Sequence, residues 1–154
     1  MIALLQRVVE ASVKISTETV GLIGPGLLVL IGVSPDDTRE DARGLLHRLL
    51  AYRIFADPAG RMNLSLVDVR GGLLLVPQFT LVADSRTGLR PGFSHAASPQ
   101  LGRELFDFLV TEARSRHTPV ASGVFGAHMQ VALINDGPVT IRLESGHAQR
   151  EPKP

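Results

Sequence analysis

Two short stretches carry residues whose types and order could do chemistry. The first is Pro77-Gln78-Phe79-Thr80, which closes the apolar run Gly72-Leu73-Leu74-Leu75-Val76. An apolar run this short between turn signals suits a strand buried on both faces. Proline has no N–H and is tolerated only at a strand edge, end or bulge, so the regular ladder is expected to stop near Pro77. Unpaired N–H groups in the irregular backbone beyond it would suit an anion or an oxyanion. A core strand that simply runs out into a loop explains the same pattern. The second stretch is Asn135-Asp136-Gly137-Pro138-Val139-Thr140. Asp-Gly between alternating apolar residues is a hairpin signal, and that alone would account for it. Gly-Pro restricts the backbone and admits a cis bond, which a tight turn would also explain.

Other chemistry finds less support. The histidines, His47, His95, His117, His128 and His147, show neither His-x-His nor His-Glu-x-x-His spacing, which argues against a metal site. There is no Gly-x-Ser-x-Gly elbow and no phosphate-cradling loop. Asp84-Ser85 and Ser94-His95 would make a serine triad only through geometry that spacing does not supply. Arg86, Arg90, Arg103, Arg114 and Arg116 are candidates for phosphate contacts, although solvated loop and helix faces explain each one singly.

The elements that must position these residues follow from periodicity and turn signals. Ile2 to Ile15 reads as one or two strands, Val20 to Ile23 as a short strand, and Leu27 to Val33 as a central strand after the Gly24-Pro25-Gly26 turn. Short turns between these strands predict antiparallel pairing. Asp37, with Glu40 three residues on, resembles a capping box for a helix over Thr38 to Tyr52, whose buried stripe is Ala42, Leu45, Leu46, Leu49 and Leu50. A strand is expected at Leu66 to Val69, then the central strand Leu73 to Val76. Val82 to Ser98 has no period, and a loop of this length in a compact domain is often functional. Ser98 caps a second helix with Pro99 at its first position. Val120 to Val124 is a strand, and Met129 to Ile134 and Val139 to Leu143 are two strands around the Gly-Pro turn.

The result is an α+β fold: a mainly antiparallel, barrel-like sheet core with two principal helices. Residues 1–145 form one domain, and the polar, proline-bearing tail 146–154 is expected to be disordered. The 154 residues are 44% hydrophobic and 20% charged, which fits an ordinary globular core and no disorder signature. Sixteen basic against fifteen acidic side chains argue against coating long stretches of duplex, while leaving room for a local basic patch. The absence of cysteine agrees with a reducing cytosol. Gln6 and Arg7 break the N-terminal apolar run, unlike a signal peptide, and the run Leu27 to Ile31 is too short to span a bilayer.

From Met1 to about Leu143 the sequence resembles the D-aminoacyl-tRNA deacylase family. The resemblance rests on Gln6-Arg7-Val8 with Ala11-Ser12-Val13, on Tyr52-Arg53-Ile54-Phe55 with Met62-Asn63, on Gln78-Phe79-Thr80-Leu81, and on Asn135-Asp136-Gly137-Pro138-Val139-Thr140. It implies a cytoplasmic homodimeric hydrolase, without metal or other cofactor and without membrane attachment. Such an enzyme cleaves the ester between a D-amino acid, or glycine, and the 3′-terminal adenosine of tRNA, with the terminal ribose 2′-hydroxyl assisting. Gln78, Phe79 and Thr80 would be the catalytic stretch, the backbone of Phe79 and Thr80 holding the ester carbonyl. Gly137-Pro138, as a cis pair, would enter the other subunit's pocket, capture the amino group and exclude an L side chain. Arg7 would brace that loop, Met129 would help line the adenosine pocket, and Pro77 would count among the substrate-binding residues. The family motif begins with serine where this chain has Pro77. A related branch that edits L-alanine has proline there, but alanine where Phe79 stands; Phe79, Asn135 and Asp136 favour the D-specific branch. The alternatives are a non-catalytic module that binds an RNA end or aminoacyl-nucleotide, and a deacylase of relaxed chirality that also edits L-Ala-tRNA.

Overall fold

In the computed structural model, which describes residues 1–86 and 88–145, the chain builds around a bent hairpin. Strand β1 (Ile2–Ile15) pairs antiparallel with β2 (Glu18–Ile23) through its second half and with β3 (Gly26–Gly32) through its first half. Its other edge carries β8 (Gln130–Glu144), also antiparallel. β3 continues the sheet to β6 (Gly72–Pro77), and β6 continues it to β7 (Val120–Ser122). The sheet curls until β2 approaches β7: a Cβ on Gly21 would lie 3.2 Å from the Ser122 carbonyl oxygen. The result is the expected α+β, nearly closed barrel.

The pairings β3–β6 and β6–β7 are parallel, so the antiparallel rule stops at β3. The cause is the connections: α1 (Arg39–Ala51) lies between β3 and β6, and α3 (Pro99–Arg116) between β6 and β7. A strand that returns through a helix comes back parallel. Alternation along β3 and β6 fills two clusters. Leu27, Val29, Ile31, Leu73 and Leu75 pack under Leu45, Leu46 and Leu49 of α1 and Leu105, Phe106 and Leu109 of α3. Leu28, Leu74 and Val76 face inward onto Val8, Val13 and Ile23. Burial of β6 on both faces is therefore borne out, and β6 ends at Pro77 as expected.

Three local expectations are corrected. Thr38, not Asp37, caps α1, with Asp41 rather than Glu40 closing the box. Asp37 instead accepts from the Met1 ammonium at 2.5 Å and from the Ser34 N–H at 2.7 Å, both inside the fold. Leu66–Val69 is not a strand but a helical turn, α2, capped by Ser65 and Asp68. A two-stranded ribbon, β4 (Phe55–Ala56) with β5 (Met62–Leu64), stands just before it. Finally, residues 130–144 form one strand rather than two around a turn. Residues on both sides of Gly137-Pro138 pair with β1 in one direction, Asn135 with Val8 and Thr140 with Gln6, so residues 136–139 form a wide bulge. The tail 146–154, expected to be disordered, lies outside the described residues. Among the described residues no helix is long and apolar enough to cross a membrane.

Candidate active site

The three parallel strands β3, β6 and β7 end on one side of the sheet, and a cavity of about 480 Å³ opens there. Crevices beyond the carboxyl ends of parallel strands are where open sheets place ligands. Ile31 and Val33 give one wall, Val76 to Phe79 the second, and the turn from Phe125 to Met129 the third. The first turn of α3, with Ser98, Pro99 and Gly102, closes it. Size and apolar walls suit a small organic group.

Pro77, Gln78, Phe79 and Met129 line this cavity together. Gly123 permits the approach of two of them: a Cβ there would fall 2.7 Å from the Met129 sulfur and 3.4 Å from Pro77 Cδ. The Gln78 N–H makes the last ladder-like bond, to Ile31 O at 2.7 Å. The chain then tightens into a 3₁₀ turn, Phe79–Val82, whose first internal bond is from Leu81 N–H to Gln78 O. The N–H groups of Phe79 and Thr80 find no acceptor among the described residues. The first donors of a helical turn have no partner within the turn. Two consecutive free amides thus follow Gln78, the first of them on Phe79, which lines the cavity. The Phe79 ring is half exposed and packs at a tilt against Phe93, with centroids 5.0 Å apart, which ties the segment around Phe93 to the strand end. Thr80, outside the cavity wall, accepts a hydrogen bond from Gln78 Nε2.

Arg7, Gly137 and Pro138 gather elsewhere, at the β8 bulge, and do not line the cavity. The Gly137–Pro138 peptide is cis, and Gly137 has φ +150°, which L side chains rarely adopt. Asn135 replaces the missing ladder: its Oδ1 accepts from Val139 N–H at 2.7 Å, and its Nδ2 donates to Val139 O at 3.1 Å. Arg7 donates through Nε to Asp136 O at 2.9 Å and through Nη1 to Ile54 O at 2.6 Å. The guanidinium therefore clamps the bulge to the segment before β4.

The structure does not assemble Asp84, Ser85, Ser94 and His95 into a triad. The Arg86 guanidinium, then the Arg86 N–H, hold the Asp84 carboxylate well below the usual carboxylate range. Ser94 Oγ and His95 Nδ1, 3.4 Å apart, meet only as chain neighbours. Among the described residues no cluster of three His, Cys, Asp or Glu could hold a metal. Gly102 and Phe125 are among the wall residues that the sequence did not single out as site residues. The signal for Gly102 was a glycine at the fourth position of a helix, which costs about 1 kcal/mol against alanine. A Cβ on Gly102 would stand 3.1 Å from the Phe125 ring, so its absence makes room for that wall.

Free amides beside an apolar cavity have the chemistry to receive a carbonyl oxygen carried on an apolar group. The model of the D-Tyr-tRNA(Tyr) deacylase family matches residues 4–144, and the chain belongs to that family. It is 66% identical over 144 residues, 94% of this chain and 97% of the relative, to a D-aminoacyl-tRNA deacylase of Thioalkalivibrio sulfidiphilus. It is 61% identical to one of Azotobacter vinelandii, covering 94% of this chain and all of that one. Among solved structures it superposes with TM-score 0.90 and 36% identity on a c-Myc DNA unwinding element binding protein, covering 95% and 99% of the two chains. A probable eukaryotic D-amino acid tRNA deacylase shares the fold at TM-score 0.79 and 21% identity, covering 93% and 98%.

Proposed function

We propose that this protein hydrolyses the ester between a D-amino acid, or glycine, and the 3′-terminal adenosine of tRNA. The observation that carries the reading is the pair of free N–H groups at Phe79 and Thr80 beside an apolar cavity of nucleoside scale. The adenosine occupies the cavity between Phe125, Met129 and Pro77, and the ester carbonyl faces the two amides. Water adds to that carbonyl, the oxyanion rests on the amides, and its collapse releases the free amino acid and the ribose 3′-hydroxyl. Preorganised donors of this kind are each worth about 10²–10³ in rate. The reaction belongs to the cytoplasm, where aminoacyl-tRNA is consumed.

Chirality is read by Gly137-Pro138 supplied from a second copy of the chain. Neither residue lines its own chain's cavity, yet Arg7 and Asn135 hold both in a fixed, exposed bulge. Beside the bulge, Val9 and Ile134 are about half exposed, and the outer edge of β8 pairs with no strand among the described residues. A long open edge with apolar neighbours favours association.

The test is single-turnover incubation with D-Tyr-tRNA, L-Tyr-tRNA and L-Ala-tRNA. D-Tyr-tRNA should lose its ester while the L-esters persist. Binding without ester loss at stoichiometric protein would make this a non-catalytic RNA-end module. Comparable loss of L-Ala-tRNA would make it a deacylase of relaxed chirality.

A further inference from the structure

The cavity wall at Phe125 and Gly126 carries a cation that the chemistry above does not use. Arg103 lies on the exposed side of α3, one residue after Gly102. Its guanidinium carbon sits 5.1 Å from the centre of the Phe125 ring, and Nη2 donates to Phe125 O at 3.4 Å. A Cβ on Gly126 would be 3.5 Å from the same nitrogen. Phe125 and Gly126 line the cavity and Arg103 does not, so the charge sits on the outer rim of that wall.

We propose that Arg103 holds the phosphodiester linking the terminal adenosine to the preceding nucleotide of the substrate RNA. The proposal rests on the cavity being the adenosine's seat. An apolar cavity that takes a nucleoside cannot also desolvate its 5′-phosphate, so that group must leave across the rim. Arg103 puts a positive charge on the rim there. Arg103 forms no ion pair among the described residues, α3 has no acid in its first turn, and the adjacent Glu104 is engaged by Arg39 at 2.8 Å. Guanidinium stays charged at every working pH and offers five donors, of which the Phe125 carbonyl takes one. Stacking on the ring fixes the fork before the RNA arrives, so less freedom is lost on binding. The plain alternative is that Arg103 only clamps Phe125.

Arg103→Gln and Arg103→Lys, both confirmed folded by circular dichroism, separate the two. The readouts are KM and kcat for D-Tyr-tRNA and for 3′-D-tyrosyl-adenosine, which has no phosphate, and the Kd of a short RNA ending in CCA over a salt series. Arg103→Gln should raise KM for the tRNA roughly ten-fold with little change in kcat. The slope of log Kd against log salt should fall by about 0.7, the release of one counterion from a single strand. The loss on tRNA should exceed the loss on the nucleoside ester at least five-fold, and lysine should restore most of it. Equal losses on both substrates would reduce Arg103 to a clamp, and an unchanged salt slope would remove the phosphate contact. The RNA-binding arm does not depend on turnover. A wild-type protein that cleaves no D-aminoacyl ester, yet loses the salt slope on Arg103→Gln, would keep the phosphate contact and sink the hydrolase reading.

Discussion

Thr80 offers the one hydroxyl in the proposed catalytic stretch, and its surroundings argue against its use as a nucleophile. Gln78 Nε2 donates to Thr80 Oγ1, and an amide NH₂ has no lone pair with which to take the hydroxyl's proton. No histidine, lysine or carboxylate reaches that oxygen among the described residues, so nothing activates it. Thr80→Ala keeps its backbone N–H and is expected to slow D-Tyr-tRNA hydrolysis less than about ten-fold, against the 10²–10⁴-fold that positioned proton transfer contributes. An acyl group trapped on Thr80 would refute this. At this scale the sequence was readable where the rule is local. Pro77 must end a ladder, and β6 does end there. Phe125 was not readable, because its place in the wall is decided by α3 packing against a turn distant in the chain.

Capping decided the elements that periodicity misjudged. Leu66-Val67-Asp68-Val69 has the β-branched alternation of a strand, yet it forms the helical turn α2. Ser65 Oγ accepts from Asp68 N–H at 3.2 Å, while the Asp68 carboxylate accepts from both Ser65 N–H and Ser65 Oγ at 2.8 Å. Those bonds, the backbone one first, lower the Asp68 pKa. The turn seats Leu66, fully buried, in the main core just before β6. Ser65→Ala removes the cap from a nearly buried position and should cost about 1 kcal/mol. That would appear as a lower urea midpoint at unchanged slope. An unchanged midpoint would mean that the buried leucine alone holds the turn. β8 follows the same logic. Asp-Gly predicts a hairpin from two residues, but Asn135 closes the bulge with side-chain bonds, so the strand continues on β1.

For the molecule as a whole, strand and helix periods gave the α+β class and the two main helices. Strand direction was hidden, because alternation is the same in parallel and antiparallel sheets and only the crossovers through α1 and α3 set it. The proposed association of copies rests on the family resemblance, since no local rule says that an exposed Gly-Pro bulge belongs in another chain's cavity. The proposed dimer can be tested by counting sites. Gly137→Val puts a β-branched side chain at φ +150°, where a Cβ already meets Val139 Cγ2 at 2.8 Å, so the bulge cannot keep its shape. Phe79→Pro deletes one of the two free amides. Each variant alone should be inactive. If the bulge works across a two-fold interface, each hybrid dimer has one intact site, formed by the Gly137→Val chain's strand end and the other chain's bulge. Random exchange makes about half the dimers hybrid, so an equal mixture should regain about a quarter of wild-type activity. With exchange shown by differently tagged chains, a mixture that stays inactive would mean that each cavity is completed by its own chain.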